Sequence, residues 1–204
     1  AAGKGLPLAA ENRLDGRYSR QFEAATATDA AAKADAADAS RRKARSAPPT
    51  PKEFVDRVWP DAVEASRSTG IPPQFLVAQA ALESGWGKHE IRRADGTSSH
   101  NLFGIKAGER WDGEAVETAT TEYVDGKAQK ENAKFRAYGS YADAFRDYAA
   151  LLRNNPRYGA VIGSQDGTEF ARRLQQAGYA TDPQYANKLA SIINGPTLRQ
   201  ALIG

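Results

Sequence analysis

The sequence predicts a mainly helical α+β domain, five or so helices around one small β-hairpin, with a preceding segment that does not share its core. Three observations carry this. Apolar residues recur at helical spacing in several segments that open on capping residues or proline. One stretch, 115–124, has strand chemistry and ends at Asp125-Gly126, a hairpin-type turn. Residues 1–50 lack the bulky apolar side chains that a core needs.

That first segment has 16 alanines in fifty residues, and Tyr18 and Phe22 are its aromatic residues. It ends Ser46-Ala47-Pro48-Pro49-Thr50. So little apolar surface cannot offset the entropy of folding. Residues 1–50 therefore read as a flexible Ala-rich linker, and residues 51–204 as the folded domain. The competing reading is docking: alanine favours helix, and 18–45 could become helical against a partner. The cluster Arg41-Arg42-Lys43-Ala44-Arg45 reads as a solvated basic patch.

The domain opens with clear punctuation. Thr50-Pro51-Lys52-Glu53 is a capping box with proline at the first helical position. Phe54, Val55, Val58, Trp59, Ala62 and Val63 then mark one helix face, with Pro60 expected to kink it. After a turn at Ser68-Thr69-Gly70, Pro72 and Pro73 open a second helix through Glu83, which Gly85 stops. Residues 85–113 are rich in Gly, Ser, Asp and Trp and read as loop. The strand 115–124 is followed by a return strand within 127–137. Helix resumes at Ser140, a cap for Asp143, with Ala144, Phe145, Tyr148, Leu151 and Leu152 as the buried stripe. A further helix is expected over about 168–177, ending at Gly178. Another starts at Asp182-Pro183 and uses Tyr185, Leu189, Ile192 and Ile193. There is no internal repeat.

Composition excludes several functions. The chain has no cysteine, which removes disulfides, thiolate chemistry and cysteine-based zinc sites. No apolar run approaches the roughly 20 residues that span a bilayer. The formal charge of +3 is unevenly placed: residues 1–50 hold 9 Lys/Arg and 6 Asp/Glu, whereas residues 51–204 hold 19 of each. A neutral domain lacks the basic surface of a general nucleic-acid binder. With Ala1 first and no methionine anywhere, the sequence is expected to be a piece of something longer.

Glu83 is the first candidate for chemistry. It ends a helix otherwise made of Ala, Leu, Val and Phe, with Leu76, Gln79 and Ala80 on its face. Apolar surroundings and the negative end of the helix both disfavour the charged carboxylate. A carboxylic acid kept neutral can protonate a glycosidic oxygen. The competing reading is a solvated helix-end glutamate. A second carboxylate is commonly required, and Glu114, Glu117, Glu122 and Asp125 are available on the hairpin. Alternation puts Val116, Thr118, Thr120 and Glu122 on one face and Glu117, Ala119, Thr121 and Tyr123 on the other. Periodicity does not say which face looks inward. Trp86, Phe103, Trp111, Tyr138 and Tyr179 lie in or beside loops, where aromatic faces suit sugars. Core filling competes, most strongly at Phe103 and Tyr138.

Together these motifs resemble a known family. Ala80-Ala81-Leu82-Glu83-Ser84-Gly85-Trp86-Gly87, then Asn101-Leu102-Phe103-Gly104-Ile105-Lys106, is similar to the signature of the glucosaminidase domain of glycoside hydrolase family 73. Trp111-Asp112-Gly113, Thr120-Thr121-Glu122, Phe135-Arg136-Ala137-Tyr138 and Ala177-Gly178-Tyr179-Ala180-Thr181-Asp182 agree with it. The resemblance covers about residues 51–195. Within the family it lies nearest to flagellar members, in which an Ala-rich linker joins a rod-assembly domain to the hydrolase.

The resemblance implies a lysozyme-like fold, a helical lobe and a small β-hairpin lobe with a cleft between them. It implies peptidoglycan as substrate and the β-1,4 bond from N-acetylglucosamine to N-acetylmuramic acid as the target. It assigns the general acid to Glu83, the second acid to Glu122 and an active-site tyrosine to Tyr179. Trp86, Asn101, Phe103, Trp111 and Tyr138 become candidates for binding the glycan. No cofactor or metal is implied; His89 and His100 read as surface or cleft-edge residues. The implied partners are glycan strands and flagellar rod proteins, and the implied compartment is the periplasm. Rival readings are a muramidase or lytic transglycosylase, and a wall-binding or rod-scaffold module without turnover.

Overall fold

The computed structural model describes residues 47–204. The expected linker falls almost wholly outside them, as do the competing docked helix over 18–45 and the basic cluster at 41–45. Helix α1 spans Pro51–Thr69 and is capped as its sequence predicts. Thr50 Oγ1 accepts from the Glu53 amide while the Glu53 carboxylate accepts from the Thr50 amide. Pro60 lies inside this one continuous helix and does not break it.

Helix α2 spans Pro73–Ser84 and is the centre of the molecule. Every residue from Phe75 to Ser84 is buried. A helix apolar all round has no face for solvent and must be enclosed. Helix α1 covers one side of it and α5 (Tyr185–Ile193) another. Helix α3 (Tyr141–Asn154) packs on α1, and α4 (Gly167–Gln176) packs on α5. Ser140 caps α3 by accepting from the Asp143 amide. Of the stripe expected on α3, Leu151 is half-buried, and Ala149 takes a buried place.

Two elements go beyond those the sequence predicts. A short 3-10 turn, Pro156–Tyr158, sinks the Tyr158 ring into the core. A sixth helix among the described residues, α6 (Pro196–Ile203), closes against α1. Helix α5 starts at Tyr185 rather than at Asp182. Asp182 instead accepts from the Gln184 amide and orders the approach to the helix.

The β-lobe is a two-stranded antiparallel ribbon, β1 (Ala115–Val124) and β2 (Lys127–Arg136), with Val124 opposite Lys127. Asp125 and Gly126 turn with φ of 51° and 74°. Positive φ at both positions matches the right-handed twist of the strands. The loop segment before the ribbon adds to it: Lys106 bridges to Phe135, and the Ala107 amide donates to the Lys134 carbonyl at 2.8 Å.

Candidate active site

Glu83 lies in the last turn of α2, only 4% exposed. The helix ends just beyond it in a tight backbone reversal. Gly85, Trp86 and Gly87 have φ of 56°, 58° and 79°, three successive residues in the left-handed region. That conformation is costly for a bulky side chain such as tryptophan and is found where the surroundings over-determine it. Here the Trp86 amide donates to the Ala81 carbonyl and the Gly87 amide donates to Ser84 Oγ. Ser84 Oγ in turn donates to the Ala80 carbonyl at 2.6 Å. The chain thus reverses immediately after Glu83, and the Trp86 ring is set edge-on against Phe54 at 6.1 Å.

Behind Glu83 lies a buried layer of tyrosines. Tyr148, Tyr179 and Tyr185 are each enclosed, and each phenol is held well above its ordinary range. Burial is the largest cause in all three, and the charge of Glu83 adds to it. Gln79, one turn before Glu83, ties two of them together. Its Nε2 donates to the Tyr185 hydroxyl at 3.0 Å, and the Tyr148 hydroxyl donates to its Oε1. Nothing in the residue pattern assigns Gln79 or Tyr185 a part in the site. The available signal is an amide four residues before Glu83, in the apolar stretch Phe75–Leu82.

Glu122 comes from the other lobe. Its strand face, with Val116, Thr118 and Thr120, is the one turned inward, which settles the question that alternation leaves open. Glu122 is 5% exposed. Lys106 Nζ lies 2.5 Å from its Oε1, and Thr181 Oγ1 donates to its Oε2 at 2.8 Å. Thr181 belongs to the loop between α4 and α5, two residues after Tyr179. That loop therefore faces both acids: Tyr179 feels the charge of Glu83, and Thr181 grips Glu122.

The remaining candidates divide by burial. Trp86 and Trp111 are half-buried and keep ring surface outside the core. Trp111 donates from Nε1 to the Glu114 carbonyl at 2.9 Å, and the Arg136 guanidinium lies 4.7 Å from its ring centre. Asn101, Phe103 and Tyr138 are enclosed by protein. Asn101 spends its amide on backbone, accepting from the Ile105 amide and donating to the carbonyls of Ile105 and Arg136. Phe103 stacks flat on Tyr148 at 4.0 Å, and its carbonyl accepts from the Tyr179 hydroxyl at 2.6 Å. Tyr138 donates to Asp147 at 2.5 Å. Tyr179 is itself fully enclosed. His89 is exposed, while His100 Nδ1 lies 2.9 Å from the Tyr138 carbonyl. Among the described residues no group of three or more His, Asp or Glu is arranged to hold a metal.

This arrangement offers a buried acid at a helix end, a clamped carboxylate on a ribbon and two tryptophans that keep ring surface free. Comparison with known proteins finds it similar to proteins named peptidoglycan hydrolases. The glucosaminidase family, described as mannosyl-glycoprotein endo-beta-N-acetylglucosaminidase, matches residues 59–198. The peptidoglycan hydrolase FlgJ of Pseudomonas aeruginosa is 51% identical over 151 residues, 74% of this chain and 38% of that protein. The crystal structure of a peptidoglycan hydrolase mutant from Sphingomonas sp. A1 superposes with a TM-score of 0.73 at 57% identity. It covers 74% of this chain and 98% of that one. The glycoside hydrolase domain of Salmonella typhimurium FlgJ, C-terminally truncated, superposes with a TM-score of 0.60 at 47% identity over 76% and 99% of the two chains. The chain spans less than half the length of the curated FlgJ relatives in Pseudomonas aeruginosa and Escherichia coli.

Proposed function

The chain belongs to the glucosaminidase family, and on that premise we propose that residues 51–204 are an endo-β-N-acetylglucosaminidase of peptidoglycan. The bond cut is the β-1,4 link between N-acetylglucosamine and N-acetylmuramic acid. The observation that carries the reading is Glu83: a carboxyl group 4% exposed at the end of the central helix, in a fold shared with peptidoglycan hydrolases.

Glu83 protonates the leaving glycosidic oxygen. An acid sheltered from water and set in a fixed place suits that task. Glu122 serves the opposite side of the bond. In one route it draws a proton from an attacking water, with Lys106 beside it. A second route uses the 2-acetamido oxygen of the substrate as nucleophile, with Glu122 steadying it. What favours this route is that both Glu122 oxygens already hold partners. The anomer formed first separates the two: inversion gives the base role to Glu122, retention gives attack to the acetamido group. Trp86 and Trp111 offer ring faces to the sugars. Asn101, Phe103, Tyr138 and Tyr179 shape the site from behind.

The relatives named peptidoglycan hydrolase FlgJ support a flagellar setting. In that setting the enzyme works in the periplasm, opens the wall for the rod, and meets rod proteins through the rest of the protein. Residues 1–50 would then be the linker.

The test is digestion of purified cell wall with identification of the new chain ends. Reducing N-acetylglucosamine ends are expected. Reducing N-acetylmuramic ends would make the enzyme a muramidase, and anhydro-muramic ends a transglycosylase. Binding to cells without clearing their turbidity would leave a non-catalytic module. Glu83→Gln should abolish clearing with the fold intact, and substantial residual lysis would remove Glu83 from its role. Glu122→Gln should lower activity strongly; wild-type activity would remove the second-acid role.

A further inference from the structure

Glu122 stands on a ribbon of two strands, an element with little stability of its own. The outer part of the ribbon is exposed, and along β2 the first six residues, Lys127–Asn132, face solvent. A group that must sit within a fraction of an ångström of its target needs more support than that.

The structure supplies it from two directions. Lys106 approaches from the loop beside β2, and its own backbone is fixed. It bridges to Phe135, its carbonyl accepts from Arg136 Nε at 3.2 Å, and the Arg136 amide donates to the Ile105 carbonyl at 3.0 Å. From there its ammonium crosses the inner face of the ribbon to Glu122, with Glu131 farther off at 3.5 Å. The pair is largely withdrawn from solvent, with 14% of the lysine side chain and 6% of the glutamate exposed.

Thr181 approaches from the helical lobe. The Tyr123 amide donates to its Oγ1 at 3.0 Å. An amide only donates, so the hydroxyl is the acceptor there, and its single proton is left for Glu122. The 2.8 Å bond to Oε2 is that proton's place. One hydroxyl thus pins the backbone of β1 and the carboxylate beside it to the loop that carries Tyr179.

We propose that Lys106 and Thr181 are positioning residues that clamp Glu122 in its working place, Lys106 on one oxygen and Thr181 on the other. The proposal rests on the reading of Glu122 as the second acid. Neither residue touches the scissile bond; both act through Glu122.

The test is steady-state kinetics of the purified protein on soluble peptidoglycan glycan oligomers. Lys106→Met and Thr181→Val are each expected to lower kcat at least about tenfold while KM moves less than about threefold. Lys106→Arg and Thr181→Ser keep the charge and the hydroxyl and should stay within about threefold of wild type in kcat. In a Glu122→Gln background, Lys106→Met should add no more than about twofold, because no carboxylate is then left to position. A lysine that merely supported the fold would lower activity by the same factor in both backgrounds, and that result would overturn the proposal. So would higher activity in Lys106→Met, the mark of a contact that restrains the hairpin. If Lys106→Met does not fold, the Thr181 pair decides by the same criteria. Failure of the underlying reading looks different: Glu122→Gln itself would then match wild type. If Glu122→Gln is crippled while Lys106→Met and Thr181→Val are not, the clamp alone is wrong.

Discussion

Gln79 and Glu83 are both buried on α2, one turn apart, and Tyr185 bonds to both. Gln79 holds Tyr185 with its amide nitrogen and Tyr148 with its oxygen. Replacing it with alanine strands the buried Tyr148 hydroxyl and leaves Tyr185 to Glu83. An unsatisfied polar group costs about 1–3 kcal/mol, so Gln79→Ala is expected to lose about 1–3 kcal/mol in urea unfolding. A loss below about 0.5 kcal/mol, the range of an ordinary surface change, would mean that the amide holds neither tyrosine. Lysis by the same variant should fall, because Tyr185 lies against Glu83. At this scale the residue pattern marks Glu83 as a candidate but leaves a solvated helix end as its competitor. Only burial decides between the two, and burial depends on which helices close around α2.

At the scale of elements, the turn after α2 matters most. Gly85 has φ of 56°, and a Cβ there would come 2.7 Å from the His89 ring. His89 is exposed and can swing aside, so the backbone carries most of the cost. Gly85→Ala is expected to destabilise by about 1–2 kcal/mol, the penalty for a side chain in the left-handed region. It should also lower lysis, because the reversal just after Glu83 shifts. Unchanged stability and activity would show that the turn tolerates a second conformation. Elements are the most legible level of the sequence. Thr50, Ser140 and Asp125-Gly126 announce their boundaries through local hydrogen bonding and backbone preference, which need no tertiary partner. The short helix α6 and the 3-10 turn escape the sequence because neither has both a side-chain N-cap and periodicity long enough to register; α6 has no side-chain cap at all.

On the scale of the whole molecule, the aromatic centre couples stability to pH. Tyr148, Tyr179 and Tyr185 are held well above the ordinary phenol range, mainly by burial. Tyr158 is pushed up to about 12, again mainly by burial. Below the unfolded value of about 10, both states keep these protons and stability does not respond. Above it the unfolded chain ionises while the folded one does not, so stability falls, by about 1.4 kcal/mol per pH unit for each such tyrosine. The protein should therefore unfold cooperatively in alkali. Phenolate absorbance from these rings should appear together with the loss of helical circular dichroism. Ionisation in the ordinary phenol range with the helices intact would contradict their burial.

The sequence by itself determined the helical and hairpin elements, the place of Glu83 at a helix end, and the family through its ordered motifs. These are local properties, set by spacing, capping and turn chemistry. The tertiary structure decided which hairpin face looks inward and which aromatics keep surface free. It also showed that Lys106 and Thr181, from different lobes, meet on Glu122. Lys106 and Thr181 are far apart along the chain, and no periodicity records a contact between segments that only folding brings together. The two acids themselves differ in the same way. Glu83 is fixed by its own helix, whereas Glu122 owes its place to side chains from elsewhere.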